Sequence, residues 1–336
     1  MAVDVSPREA IGAICHVVPE HELGLYAVDG IAPRVAAYPK TAEQVAAIVQ
    51  VAAGQKWAVA PRGGGTLMEL GGIPRAVDVV VCTTDMNQIV EYEPADLTCT
   101  VQAGMRLSDL QARLSEHCQF LALDPPLPER ATIGGIVAAN GSGPLRLRYG
   151  TCRDLLIGIR VVNPDGNITK GGGKVVKNVS GYDMCKLYTN SLGTIGIIVE
   201  ATFKLWPLPA LESTVVASYP TLEKAYATAR QVHRSALPVR ACELLTPAAS
   251  DGRGYLVAVW VGGERAALER QNEELASLCS AGYAPKTKRS IELMDGERMQ
   301  AFWRRVESFG RDGAATIAKI SVLPSRTGEL LAQLPE

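Results

Sequence analysis

The stretch APRGGGTLMELGG, residues 60–72, places three consecutive glycines directly after an apolar run and then adds two more. Glycine has no Cβ, so a run of it lets another group lie against the main chain, and successive amide N–H groups in a tight turn form a concavity suited to an anion. KWAVA (56–60) reads as a short buried strand leading into the run, and AVDVVVC (76–82) as another strand after it. Upstream, TAEQVAAIVQVAAGQ opens with a capping-box pattern from Thr41 to Gln44, and Val45, Ile48, Val49 and Ala52 follow at helical spacing before Gly54. The local order is helix, strand, glycine loop, strand.

The two common nucleotide loops are excluded by spacing. A GxGxxG fingerprint needs its third glycine for close helix packing, yet that position holds Met68 after Gly63 and Gly65, Arg146 after Gly141 and Gly143, Val176 after Gly171 and Gly173, and Val257 after Gly252 and Gly254. A P-loop fails as well, because the GK pair Gly173-Lys174 has Ile168 at the first glycine position and Val175 where Ser or Thr belongs. Phosphate binding by bare amides needs neither motif. For one isolated glycine run, a plain turn between strands is the equal alternative.

Further along, QIVEYEP (88–94) and LTCTVQAG (97–104) read as a hairpin, and Leu107, Leu110 and Leu114 give the following segment one apolar helical face. Residues 123–150, LDPPLPERATIGGIVAANGSGPLRLRYG, are rich in Pro and Gly and read as a long loop, of the length that usually has a ligand to hold. LLIGIRVVNPDGNITKGGG (155–173) reads as two strands turning at Pro164, Asp165 and Gly166. A β-rich run from Leu192 stops at Pro207 and Pro209, which marks a domain boundary. Beyond it, residues 218–238 supply an amphipathic helix, GYLVAVWVGG (254–263) a central strand and residues 264–282 another helix, a pattern that predicts an antiparallel sheet with helices on one side.

Composition narrows the function classes. Lys plus Arg (34) balances Asp plus Glu (35), which speaks against nucleic acid or an anionic membrane surface as the main partner. The start carries Asp4 and Glu9 where a signal peptide would be positive, and its apolar patch is too short to span a bilayer, so a cytoplasmic protein is expected. The 8 cysteines never approach closer than 17 residues, leaving no zinc or iron-sulfur spacing; no metal site is expected, and Cys82 and Cys99 suit inert core thiols.

PRGGGT (61–66), ATIGG (131–135), RYG (148–150), VNPDG (162–166) and LGTIGIIVEATFKLWP (192–207), in that order, resemble the flavoproteins of the p-cresol methylhydroxylase and vanillyl-alcohol oxidase family over about residues 35–210. The resemblance implies an α+β fold: a two-lobed FAD-binding domain over residues 1–209, with a small parallel-sheet lobe and a larger antiparallel-sheet lobe, then a smaller α+β cap domain over 210–336. It implies that Arg62, Gly63, Gly64, Gly65 and Thr66 hold the FAD pyrophosphate, and that Pro125, Thr132 and Gly135 flank the pyrophosphate and ribityl chain. Gly141, Ser142, Tyr149 and Gly150 are expected along the flavin, with main-chain groups of Ile198 near it and Asn178 and Tyr182 lining the same cavity. On residue type alone, Tyr149 and Tyr182 equally suit core aromatics, Asn178 a turn cap and Arg62 a solvated loop charge. None of His16, His21, His117 and His233 stands where relatives attach FAD covalently, so the expected FAD is non-covalent.

The second half resembles, more loosely, the FAD-binding E subunit of bacterial glycolate oxidase, through residues 219–245, FWRR (302–305) and AKISVLP (318–324). That resemblance implies a subunit supporting oxidation of glycolate or another small D-2-hydroxy acid, with electrons passed to a catalytic FAD subunit and an iron-sulfur subunit, and contact with the inner membrane only through those partners. Self-sufficient oxidation of a 2-hydroxy acid needs a base and a cation for the carboxylate, and the second half offers His233 as its only histidine. Arg304 and Arg305 suit a fork onto a carboxylate, a partner-docking contact, or a solvated basic turn. The alternatives to an enzyme subunit are a non-catalytic flavin-binding assembly scaffold and a stand-alone FAD oxidase of an alcohol or sugar. The resembled family continues past this end with a Trp- and Gly-rich segment, so a shortened C-terminus is expected.

Overall fold

Thr41 starts the helix Ala42–Gln55 by accepting the Gln44 amide at 3.2 Å, while Gln44 Oε1 accepts the amide of Lys40 at 2.7 Å, one residue before the partner that a capping box would use. Val45, Ile48, Val49 and Ala52 form its buried face, and the helix ends at Lys56 in the left-handed region (φ 59°). The chain is described here from a computed structural model, which covers residues 6–173, 182–280, 291–309 and 317–333. Its contacts separate two units, Met1–Ser142 with Gly150–Leu208, and Gly143–Tyr149 with Pro209–Glu336. Residues 143–149, read from the sequence as part of the first domain, thus group with the second unit.

Among the described residues the first unit contains two main sheets, besides the short antiparallel pair Gln119–Phe120 and Trp206–Pro207. In the smaller, Val35–Tyr38, Val79–Cys82 and Val59–Arg62 run parallel, with His16–Val17 antiparallel at the edge. Val79 and Val81 pack with Val45, Ile48 and Val49 on one face, while Val80 and Cys82 pack with Val18 and Val28 on the other. Burial on both faces explains why residues 76–82 read as a nearly unbroken apolar run. The larger sheet is antiparallel, in the order Ile89–Glu93, Thr98–Gln102, Ile197–Lys204, Leu156–Val162, Ile168–Gly172. Leu107, Leu110 and Leu114 are buried in the helix Leu107–Ser115, as their spacing requires.

The long Pro/Gly segment is not all loop: it contains the helix Ile133–Ala139. Ile133, Ile136 and Val137 supply a helical face that Gly134 and Gly135 conceal in the sequence. Gly134 is needed for packing, since a Cβ there would stand 2.8 Å from the Ala103 Cβ.

In the second unit the order is Ala241–Leu245, Tyr255–Gly263, Leu211–Tyr219, Ile291–Met294, all antiparallel. The expectation of helices on one side needs correction. Val215, Ala217, Val257, Val259 and Val261 pack with residues of Leu222–Arg234 and Arg265–Ser280, but Val216, Leu256 and Ala258 pack with Met299 and Trp303 of Gly296–Glu307. Both faces are covered because Tyr255–Gly263 is apolar at successive residues, and Trp303 seats its Nε1 on the buried Thr214 hydroxyl at 2.8 Å. Among the described residues no helix is long and apolar enough to cross a membrane.

Candidate functional site

The strand Val59–Arg62 delivers the glycine run against the segment 130–132. A Cβ at Gly63 would fall on the Thr132 hydroxyl, and one at Gly64 on the Arg130 carbonyl oxygen; Gly65 turns in the left-handed region at φ 68°. Two segments expected at the same ligand are therefore in contact, and the close approach that requires glycine at 63 and 64 is made by the chain itself.

Other expected segments join them. Gly193 (φ 71°) lies so near Pro61 that a Cβ would stand 2.5 Å from its Cγ. The amides of Asn190 and Leu192 donate to Val137 and Ala138 carbonyls at 3.1 and 2.9 Å, fixing that turn to the end of the helix Ile133–Ala139. A Cβ at Gly141 would come into ordinary contact with Pro125, and one at Gly135 would stand 3.4 Å from the Thr132 hydroxyl. Thr66 continues the loop, half-buried.

Thr132 is the informative residue. It is 2% exposed, precedes the helix Ile133–Ala139 without making a side-chain cap, and its Oγ1 has no hydrogen-bond partner among the described residues. A buried hydroxyl left unpaired costs about 1–3 kcal/mol. Its position against Gly63, between the glycine loop and Gly135, suits a ligand oxygen, so these residues fit a phosphate-bearing cofactor.

Arg62 folds over its own loop. Its guanidinium lies near Gly65 and 5.1 Å from the Tyr26 ring centroid, and its carbonyl accepts the Thr83 hydroxyl at 3.4 Å. Tyr26 in turn shares a 2.7 Å hydroxyl contact with Tyr38, whose phenol is pushed far above its ordinary range, first by burial and then by that bond. Burial likewise pushes the adjacent Cys82 thiol up to about 12. Tyr26 was not anticipated: 36 residues separate it from Arg62, and no local pattern links them.

Ser142 and Gly150 flank the excursion into the second unit and are tied down in the first. Ser142 Oγ accepts the Cys152 amide at 3.2 Å, and Gly150 (φ 84°) packs against Asp154. Asp154 accepts both the amide and the hydroxyl of Thr151 at 2.8 Å, and the amide bond first, then the hydroxyl, holds its carboxyl below the usual range. Ile198 is buried opposite Val161, just before a bulge at Val199, so only its main chain is open to the expected role. Tyr182 is 91% exposed, at the edge of the described residues. Asn178 lies outside the described residues. Tyr149 belongs to the second unit, where its ring faces Arg240 at 5.5 Å.

The other second-half candidates have ordinary surroundings. Arg305 pairs with Asp251 and donates to the Ala249 carbonyl at 3.2 Å, Arg304 is exposed, and His233 is exposed in the last turn of its helix. Among the described residues no group of three His, Cys, Asp or Glu side chains is placed to hold a metal.

Residues 33–172 match the family model described as FAD binding domain. Over that segment the chain is similar to FAD-binding domains, and the match indicates FAD as the cofactor. The chain is 34% identical over 194 residues to glycolate oxidase subunit GlcD of Bacillus subtilis (strain 168), a match covering 58% of this chain and 41% of that protein. It is 36% identical over 217 residues to D-lactate dehydrogenase (cytochrome) 1, mitochondrial, of Saccharomyces cerevisiae, covering 63% and 36%. The match thus spans about two-fifths of the length of these relatives. A crystal structure of p-cresol methylhydroxylase with substrate bound has the same fold, with TM-score 0.69 at 18% identity over 90% of this chain and 68% of that one.

Proposed function

We propose that the protein is the FAD-binding subunit of a complex of the glycolate oxidase kind, supporting oxidation of glycolate or another small D-2-hydroxy acid. The observation that carries the cofactor site is the unpaired, buried Thr132 hydroxyl set against Gly63, where separated motifs converge. Support for the substrate class comes from the relatives, one a glycolate oxidase subunit and one a D-lactate dehydrogenase.

In this reading residues 1–209 are the FAD-binding domain and 210–336 the cap. The amides of Arg62, Gly63, Gly64, Gly65 and Thr66, with the Arg62 charge beside them, hold the pyrophosphate. Pro125, Thr132 and Gly135 flank it, Gly141, Ser142, Tyr149, Gly150 and the Ile198 main chain border the flavin, and Asn178 and Tyr182 line the cavity. When bound, FAD supplies a two-electron acceptor for the carbinol carbon. With no histidine at the glycine segments, the cofactor is held without a covalent bond.

The exposed position of His233, the only histidine of the second half, favours a base supplied by another chain, hence a catalytic FAD subunit and an iron-sulfur subunit as partners. The protein then works in the cytoplasm and meets the inner membrane through those partners. The test is to purify the chain alone and co-expressed with candidate partner subunits, and to follow flavin absorbance on adding glycolate or D-lactate. Bound flavin that bleaches only with partners present is expected. Bleaching by the chain alone would replace this reading with a stand-alone oxidase, and flavin that never bleaches would leave an assembly scaffold.

A further inference from the structure

The parallel strands of the smaller sheet finish at Tyr38, Cys82 and Arg62, and the glycine run leaves from the last of them. The carboxyl ends of such strands are where an open α/β sheet takes its ligands. Tyr26, the last residue of the 3₁₀ helix Glu20–Tyr26, touches two of these strand ends. Its hydroxyl lies 2.7 Å from that of Tyr38, the two rings meet edge to face at 6.2 Å and 88°, and the Arg62 guanidinium sits over its ring at 5.1 Å.

Arg62 is half-buried, and among the described residues no carboxylate pairs with its guanidinium. The group lies against Gly65, where a Cβ would stand 2.7 Å from its Nη2 and 2.9 Å from its Cζ. Two residues back along the loop, the unpartnered Thr132 hydroxyl stands against Gly63. An unpaired cation, bare amides and an unpaired hydroxyl around one loop are met together by an anion. A free arginine side chain gives up rotamer freedom each time it binds such an anion, whereas one already seated on a ring has less to lose. The seat itself is fixed. The Tyr26 ring is tied through its hydroxyl to Tyr38, and burial first, then that bond, keep the Tyr38 phenol protonated.

We infer that Tyr26 is a positioning residue for the anion site: anchored through its hydroxyl on Tyr38, its ring seats the Arg62 guanidinium beside Gly65, where the charge meets the phosphates of the cofactor. This rests on the pyrophosphate assignment made above for the glycine loop, and every residue it uses lies in the first unit.

The test titrates the full chain, freed of flavin, with inorganic pyrophosphate by calorimetry and with FAD by flavin fluorescence. R62M removes the cation, Y26L removes its seat, and Y26F keeps the ring while breaking the hydroxyl bond. Both affinities are expected to fall about fivefold in Y26L, the scale of a half-buried cation–π contact, and by less in Y26F. In an R62M background Y26L is expected to cost nothing further, because Tyr26 acts only through the guanidinium. A tyrosine that merely supports the fold would weaken binding to the same extent with or without Arg62. Losses that add in Y26L/R62M would therefore overturn the inference, as would wild-type affinity in Y26L; should Y26L not fold, Y26F and R62M complete the same cycle. Pyrophosphate bound by the wild type with FAD refused would overturn the flavin reading and leave the seating of Arg62 to be decided by the pyrophosphate titrations. A wild-type chain that binds neither would overturn both.

Discussion

Gly64 and Arg130 meet main chain to main chain, so closely that a Cβ at Gly64 would occupy the position of the Arg130 carbonyl oxygen. The glycine is therefore demanded by the fold of the loop as well as by any phosphate it holds. Gly64→Ala should cost about 1–3 kcal/mol of stability through overpacking and should abolish FAD retention. Thermal melts of the flavin-free protein check the first part; an unchanged midpoint would show that segment 130–132 yields freely.

Thr132→Val separates the ligand's needs from the fold's. The substitution keeps shape and removes a buried hydroxyl that has no partner, so the flavin-free protein should be as stable or slightly more so. FAD affinity should fall about tenfold, the value of one hydrogen bond to a charged group. Equal affinity for wild type and variant, measured by flavin titration, would remove Thr132 from the site.

Asp154 should make the Ser142–Gly150 junction sensitive to acid. Its carboxyl is depressed by the bonds from Thr151, so between its folded value and the ordinary value near about 3.9 the unfolded chain binds more protons. The stabilisation is complete above about pH 4 and disappears as pH falls through the folded value. Urea midpoints of wild type and Asp154→Asn should therefore differ at pH 7, and the gap should narrow as the pH falls below about 4; a gap that widens in acid would contradict the assignment.

The cysteines should divide sharply in reactivity. Cys118 is exposed, whereas Cys82, Cys99 and Cys152 are buried and burial lifts each thiol to about 12. At pH 8 a disulfide reagent should modify Cys118 quickly and those three only on unfolding, as peptide mapping of the labelled sites would show.

What could be read from the sequence was whatever short-range pattern specifies. The helix after Thr41, the hairpin around Ala95 and Asp96, and the turn at Pro164 to Gly166 each rest on residues within a few positions of one another. The helix Ile133–Ala139 was hidden because it holds two consecutive glycines, of which Gly134 serves packing against Ala103, and they resemble loop glycines. The second face of the second unit's sheet was missed because its cover, Met299 and Trp303, lies about 40 residues beyond the central strand it packs on. At the site, the meeting of the glycine run with Thr132 was legible only through family resemblance, since about 70 residues lie between them. Neither Tyr26 beneath Arg62 nor Arg240 beside Tyr149 carried any local signal.

The assignment of Gly143–Tyr149 to the second unit means that the chain passes between units three times, after Ser142, after Tyr149 and after Leu208. A gene cut at codon 208 would consequently leave that heptapeptide behind without the strands it folds with. Chimeras that exchange the second unit should exchange residues 143–149 along with everything from Pro209 onward, as one discontinuous cassette.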